Sequence, residues 1–342
     1  MSVSIVVGGQ YGSEGKGKVA YYWANKMGAD AVVRVGGSNS GHTIYGKAGE
    51  RYAFRMLPTA SIANQIVSVL PAGSYIDIPV LMKEINEISL PKDRLKIDPN
   101  AMIISEKNRN SELMVNLREK IGSTLSGTGA AVIERISREE KVLLAKDVPE
   151  LKPFICDTKR YLRSLINRGK HIVIEGTQGY GLSIYHTANY PYATSRDTTA
   201  SGFLAETGLS PFDVEHVVMV IRAFPIRVAG NSGPLEMETN WEEVSKESGA
   251  EQHFDERTTV TNQIRRVAYF TPKVVKDAIM VNRPDIIVLN HMDYIDIMNK
   301  NRKYLSNKQK EFLEKIERLI GEKIAYCGNG EMNIISMGVN HQ

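Results

Sequence analysis

The chain has 342 residues, 42 % of them hydrophobic and 24 % charged. This is the balance of a soluble globular protein with room for one large α/β domain or two ordinary ones. The apolar runs are too short for a membrane span, the N-terminus lacks the basic n-region of a signal peptide, and Cys156 and Cys327 are too few for a disulfide framework, so a reducing cytoplasm is expected. The net charge of +4 is mild and unclustered, which argues against nucleic acid as a partner and suits cations that meet phosphates and carboxylates.

Along the chain, residues 3–7 form a short apolar run that ends in Gly8-Gly9, the pattern of a buried parallel strand. A helix is expected over 18–27 and a second strand over 31–35. Apolar runs at 66–70, 171–174, 217–221 and 286–289 each precede a turn or loop. Helical stretches lie between several of them, including 79–88 and 306–320. In the latter, Phe312, Leu313, Ile316, Leu319 and Ile320 make one apolar stripe, with Ser306 as N-cap. Strands alternating with helices predict an α/β fold, a mostly parallel central sheet with helices on both faces. Ligands in such sheets bind beyond the carboxyl ends of the strands. No repeat or linker divides the chain, so a single domain over 1–342 is expected.

Residues 8–18 read GGQYGSEGKGK, and within them Gly12 to Lys18 fits G-x-x-x-x-G-K between a strand and a helix. Glycines let backbone N–H groups approach an anion, the helix N-terminus favours negative charge, and Lys16 and Lys18 add mobile positive charge. The result is a P-loop-like phosphate site. The motif departs from the ordinary form at Val19, where a magnesium-binding hydroxyl usually stands. Ser13 and nearby backbone carbonyls are then the candidates for a metal.

The glycine-rich start, followed by VRVGGSNSGHTI over 33–44, resembles the start of adenylosuccinate synthetases. IGST at 121–124, EGTQG at 175–179, YPYATSRDTT at 190–199, TTVTNQIRRV at 258–267, NHMD at 290–293 and a glycine loop at 328–330 follow in the family's order. By length the chain is similar to the family's short form. The resemblance implies an adenylosuccinate-synthetase-like fold and a two-step ligase reaction. A nucleoside triphosphate phosphorylates the 6-oxygen of a purine mononucleotide, and the amino group of L-aspartate then displaces phosphate. Phosphorylation is needed because an amide-like oxygen is a poor leaving group, and the transfer asks for positioning and positive charge.

By resemblance, Ser13, Lys16, His42 and Gln178 form the catalytic set. Lys16 would sit on the transferring phosphoryl group, His42 would act as the acid at the 6-oxygen, and Gln178 would hold the purine 6-position. Gly12, Ser13, Glu14, Gly15, Lys16, Gly17, Lys18, Gly41, Thr43, Asn290, Asp293 and Gly328 would surround the triphosphate, the last two toward its base. Mg2+ is implied, near Ser13 and the Gly41 carbonyl. Ser13, Asn39, Ser123, Thr124, Arg138, Gln178 and Thr194 would hold the mononucleotide. Arg138 matches an arginine the family donates from a neighbouring subunit, which implies a homodimer. Thr259, Thr261, Gln263 and Arg265 would bind aspartate. Each has a plainer reading. His42 could be a loop residue bonded to backbone, Gln178 and Thr194 turn residues, and Arg265 and Arg266 surface charges.

Ser13 is the most informative position, because the family has an aspartate there, in GDEGKGK. That carboxylate is understood to take the N1 proton of hypoxanthine, which a serine at its ordinary pKa cannot do. Lys16, His42 and Gln178 remain, which argues against decay. A hydroxyl leaves room for a 2-amino group beside N1, so guanine becomes the expected base. This variant resembles the family's phage-type branch, which joins dGMP to aspartate and gives N6-succino-2-amino-2′-deoxyadenylate for 2-aminoadenine DNA. Two departures agree. Gln263 replaces an arginine that in the family lies near the ribose, and His291 replaces the lysine of the family's TKLD motif. The donor is expected to be ATP or dATP, with GTP not excluded, since Asp293 remains suited to guanine. The alternatives are ordinary adenylosuccinate synthesis from IMP, aspartate and GTP, a P-loop switch, and a catalytically dead nucleotide sensor.

Overall fold

The computed structural model describes residues 2–46, 48–138, 142–258 and 262–338. Among them, nine strands form one sheet. From one edge to the other they are Ile334–Ser336, Tyr326–Gly328, Ile286–Asn290, Val214–Arg222, Val3–Gly8, Ile172–Glu175, Ala31–Arg34, Val67–Leu70 and Leu95–Ile97. All neighbours run parallel except the edge pair Tyr326–Gly328 and Ile334–Ser336. The six apolar runs read from the sequence are six of these strands, including the four at the centre.

The central strand Val3–Gly8 is buried throughout and its side chains alternate between two cores. Val3, Ile5 and Val7 pack with Phe203, Leu204, Val275, Ile316 and Ile320, from helices on one face. Val6 packs with Val19, Ala20, Trp23 and Ala24 of the helix Lys16–Lys26 on the other. Helices therefore cover both faces, as expected. The helix Asn307–Ile320 starts at a capping box in which Ser306 and Gln309 satisfy each other's backbone N–H, and Gly321 at φ 81 ends it. Its stripe is core through Ile316 and Ile320, with Phe312, Leu313 and Leu319 partly buried against it.

Two small sheets stand over the carboxyl ends of the strands. The hairpin His42–Tyr45 with Arg51–Phe54 carries His42. A three-stranded antiparallel sheet of Ile226–Arg227, Arg266–Ala268 and Glu238–Thr239 is continuous in the chain with Arg265. No helix among the described residues is long and apolar enough to cross a membrane.

Candidate active site

The phosphate loop leaves the carboxyl end of the central strand, and the remaining site loops leave its neighbours. Gln178 follows Ile172–Glu175, Arg222 ends its strand, and Asp293 follows Ile286–Asn290. Five residues of these loops hold left-handed backbone: Gly12 at φ 93, Ser13 at 56, Gly15 at 83, Gln178 at 63 and His291 at 62. Three of them are not glycine, and such strain collects where a site is held by its surroundings.

Glu14 explains how the loop keeps its shape. Its buried carboxylate accepts from the N–H groups of Gln10 at 3.2 Å and Gly12 at 2.8 Å, and from Lys16 Nζ at 2.6 Å. A Cβ on Gly179 would lie 2.4 Å from that carboxylate, so only glycine lets the EGTQG loop close over it. Asn290 is spent the same way, donating to the Glu14 carbonyl at 2.8 Å, with Gly328 packed against its amide. Glu14, Asn290 and Gly328 thus lie beneath the loop, and it is Gly330 that faces the cavity.

That cavity, about 310 Å³, is lined by Ser13, Gly15, Lys16, Gly17, Lys18, Gly41, Thr43 and Asp293 from the expected triphosphate set, and by His42 from the catalytic set. Burial pushes Lys18 down to about 8 against the pull of Asp293, and pushes the Asp293 carboxyl up. A second cavity, about 340 Å³, is lined by Asn39, Ser123, Thr124, Gln178 and Thr194. A narrower space of about 100 Å³ holds Gly12, Ser13, Asn39, Gly41, Thr124, Gln178 and Arg265. Ser13, Gly41 and Arg265 border both this space and the first cavity, so they form the wall between them.

Both Ser13 oxygens on that wall are held by guanidinium groups. The hydroxyl accepts from Arg265 at 2.5 Å and the carbonyl from Arg222 at 2.9 Å. Each Ser13 oxygen keeps one lone pair beyond these bonds, but a metal on it would sit against a guanidinium charge. No cluster of His, Cys, Asp and Glu suited to a metal occurs among the described residues. Magnesium in phosphoryl-transfer sites is held largely by phosphate and water. Gly41 lines the first cavity together with Lys16, so the residue whose carbonyl the resemblance implies as a metal ligand does border that space.

His42 is not a loop residue bonded to backbone. Its Nδ1 stands 2.6 Å from Glu175, which also takes Arg34 at 3.1 Å and Thr59 through its hydroxyl and N–H at 2.7 and 2.8 Å. Burial, with the Arg34 charge behind it, pushes the imidazole down to about 3. Burial alone would raise Glu175, but His42 and Arg34 outweigh it and lower the carboxyl. Arg34 already neutralises Glu175, which is why the imidazole stays uncharged. Arg34 also lies 3.2 Å from Nε2, so His42 must turn off that guanidinium to meet a substrate oxygen.

Arg265 is largely buried at the site, whereas Arg266 pairs with Glu238 at 2.6 Å. Gln263 is exposed. Thr259 and Thr261 lie outside the described residues. Arg138 caps the helix Thr128–Ser137 and lines none of the three spaces. Sequence reasoning missed Glu256, which lines the first cavity. Burial pushes its carboxyl up, but Arg222 and its neighbours hold it down at about 2. It also missed Arg227, which lines the narrow space 4.1 Å above the Tyr11 ring. Neither sits in a glycine-rich motif that would mark it.

A phosphate loop at the switch point of a parallel sheet, joined through one wall to a second polar cavity, defines a nucleotide-dependent enzyme of the phosphoryl-transfer class. The chain belongs to the adenylosuccinate synthetase family, whose model matches residues 5–144 and 139–302. It is 38 % identical over 286 residues to the adenylosuccinate synthetase of Methanocaldococcus jannaschii, covering 82 % of this chain and 80 % of that one. It is 34 % identical over 284 residues to that of Archaeoglobus fulgidus. It is a carbon–nitrogen ligase of the adenylosuccinate synthetase type. The fully ligated enzyme of Plasmodium falciparum has the same fold, with a TM-score of 0.84 at 22 % identity over 98 % of this chain and all of that one. The cyanophage S-2L succinoaminodeoxyadenylate synthetase, solved with dGMP and with dATP as energy donor, superposes with a TM-score of 0.82 at 28 % identity, over 99 % of this chain and 96 % of that one.

Proposed function

We propose that the enzyme joins L-aspartate to C6 of dGMP at the expense of a nucleoside triphosphate, giving N6-succino-2-amino-2′-deoxyadenylate. The observation that carries this reading is Ser13. It stands on the wall between the two ligand spaces, where the family's aspartate is replaced by a hydroxyl. A hydroxyl leaves room for a 2-amino group, and its remaining lone pair can accept one of that group's hydrogens. The likeness to the cyanophage enzyme bound to dGMP supports it.

In this reading Lys16 leaves Glu14 for the γ-phosphoryl group, the 6-oxygen of the purine attacks phosphorus as the diphosphate departs, and N1 gives its proton to water because Ser13 is no base for it. His42 rests uncharged with Nδ1 on Glu175, so it serves the 6-oxygen as an acid only after Nε2 takes up a proton as the anionic substrates offset the Arg34 charge, while Gln178 fixes the purine edge. Asn39, Ser123, Thr124 and Thr194 hold the monophosphate. The aspartate amine then attacks C6, and phosphate leaves with the former 6-oxygen. Arg265, with Thr259, Thr261 and Gln263, holds the aspartate. Mg2+, with the Gly41 carbonyl as a protein ligand, supplies charge neutralisation on the triphosphate.

The donor in this reading is ATP or dATP. Its support is His291 in place of the family's lysine, together with the dATP bound by the cyanophage enzyme. The chain acts as one domain over 1–342 and as a homodimer in which Arg138 reaches the neighbouring site. Support for the dimer is an apolar face beside Arg138: Met114 is 87 % exposed, Ile133 72 % and Ile136 69 %. Such faces on soluble proteins mark association surfaces.

The second reading is adenylosuccinate synthesis from IMP with GTP, favoured by the archaeal relatives, which are adenylosuccinate synthetases. Phosphate release with L-aspartate, Mg2+ and ATP, run in parallel on dGMP, GMP and IMP, separates the two. Faster release with dGMP than with IMP is expected; preference for IMP sinks the dGMP reading.

A further inference from the structure

Two guanidinium groups on the wall between the ligand spaces share one carboxylate. Glu256 takes Arg222 on both its oxygens, at 3.3 Å for one contact and closer for the other. It stands 3.7 Å from Arg265 Nε, and its main-chain carbonyl accepts from the Arg265 N–H at 2.8 Å. The Tyr294 hydroxyl donates to it at 2.9 Å. Arg222 and Arg265 each donate to Ser13, one to the carbonyl and one to the hydroxyl. Ser13, Arg222, Glu256 and Arg265 therefore close a ring of polar contacts.

A guanidinium that borders two spaces has to be aimed before it can grip a carboxylate in a forked pair. Left alone, an arginine loses much rotamer freedom on binding. We propose that Glu256 is a positioning residue that aims Arg265 at the carboxylate of the amino-acid substrate. This rests on the reading of Arg265 as an aspartate contact. Two arginines set against one carboxylate leave a surplus positive charge, which an incoming carboxylate balances. Tyr294 fixes the plane of the Glu256 carboxylate from the triphosphate side, where both residues line the cavity. Ser13 brings no charge of its own, so it does not compete with substrate for Arg265.

The competing account is that Glu256 only neutralises Arg222, whose side chain is fully buried. Two variants separate the accounts. Glu256→Gln keeps the shape and removes the charge. Tyr294→Phe leaves the Glu256–Arg222 pair in place and removes one bond that orients the carboxylate. KM for aspartate, KM for the mononucleotide and the melting temperature are measured on the full-length enzyme. The mononucleotide is whichever one it turns over fastest, so the outcome does not hang on dGMP against IMP.

For Glu256→Gln the expected result is a rise in KM for aspartate of about 10- to 100-fold, the scale of one charge-assisted hydrogen bond, with KM for the mononucleotide moving less than about threefold. Tyr294→Phe should give a smaller rise with the same selectivity. A lower melting temperature with KM for aspartate unchanged overturns the proposal, and so does an equal rise in both KM values. If Glu256→Gln fails to fold, an unchanged KM for aspartate in Tyr294→Phe overturns it alone. Wild-type turnover that ignores aspartate would remove the ligase reading and this proposal with it.

Discussion

Ser13 carries more of the account than any other single residue. It sits at φ 56, in a region where aspartate and asparagine are the better tolerated side chains. Backbone strain therefore does not explain why serine stands there, whereas the proposed dGMP reading does, through room for the 2-amino group. Ser13→Asp should move the ratio of kcat/KM values for dGMP and IMP toward IMP by about 10- to 100-fold, the cost of crowding and mispairing one buried polar group. An unchanged ratio in parallel steady-state assays would remove the argument. A carboxylate there would also face Arg265, so KM for aspartate should rise in the same variant.

His42 makes a separate prediction about pH. Its folded-state pKa lies below its unfolded value, so the unfolded chain binds the extra proton between about 6.5 and 3, and stability falls as pH drops through that window. His42 alone should contribute a loss of about 2 kcal/mol by pH 5, from 1.5 pH units below an unfolded pKa of about 6.5. His171 and His291 are also pushed down by burial and act in the same direction. Urea denaturation at pH 7 and pH 5 should show the loss, and His42→Asn should reduce it. An identical pH dependence in that variant would mean that the imidazole is not held neutral. At this scale the sequence singled out residues inside the motifs that carry the family resemblance and missed those outside them. Glu256 and Arg227 reach the site through buried ion pairing and ring stacking, which no local spacing reveals.

At the scale of elements, long apolar runs were legible because a buried parallel strand needs a continuous apolar stretch. The strands missed were Leu95–Ile97, Tyr326–Gly328 and Ile334–Ser336, each three residues long. Three residues carry no periodicity, and these form only because the sheet offers an edge to pair with. The three small sheets, the third being Tyr75–Ile76 with Met102–Ile103, were equally illegible, although one brings His42 and another Arg265 to the site. The helix Thr128–Ser137 tests association. Ile133 and Ile136 point away from the fold at 72 % and 69 % exposure. Ile133→Glu with Ile136→Glu should give monomers in sedimentation and little activity, with the fold intact by circular dichroism. An unshifted sedimentation coefficient would move the dimer contact elsewhere.

For the whole molecule, shared sites make a prediction that no single chain can satisfy. Lys16→Ala and Arg138→Ala should each be nearly inactive. If Arg138 serves the neighbouring site, mixing the two variants restores one good site in each mixed dimer, about a quarter of wild-type activity for random assembly of a twofold dimer. No recovery after mixing would place Arg138 in its own subunit's chemistry or outside it. The central claim concerns the fate of one atom, the 6-oxygen of the purine. Incubating the enzyme with dGMP carrying 18O at C6, L-aspartate, ATP and Mg2+, and weighing the released phosphate by mass spectrometry, follows that atom directly. The account predicts one 18O in each inorganic phosphate released. Unlabelled phosphate, formed at the same rate with or without aspartate, would contradict it.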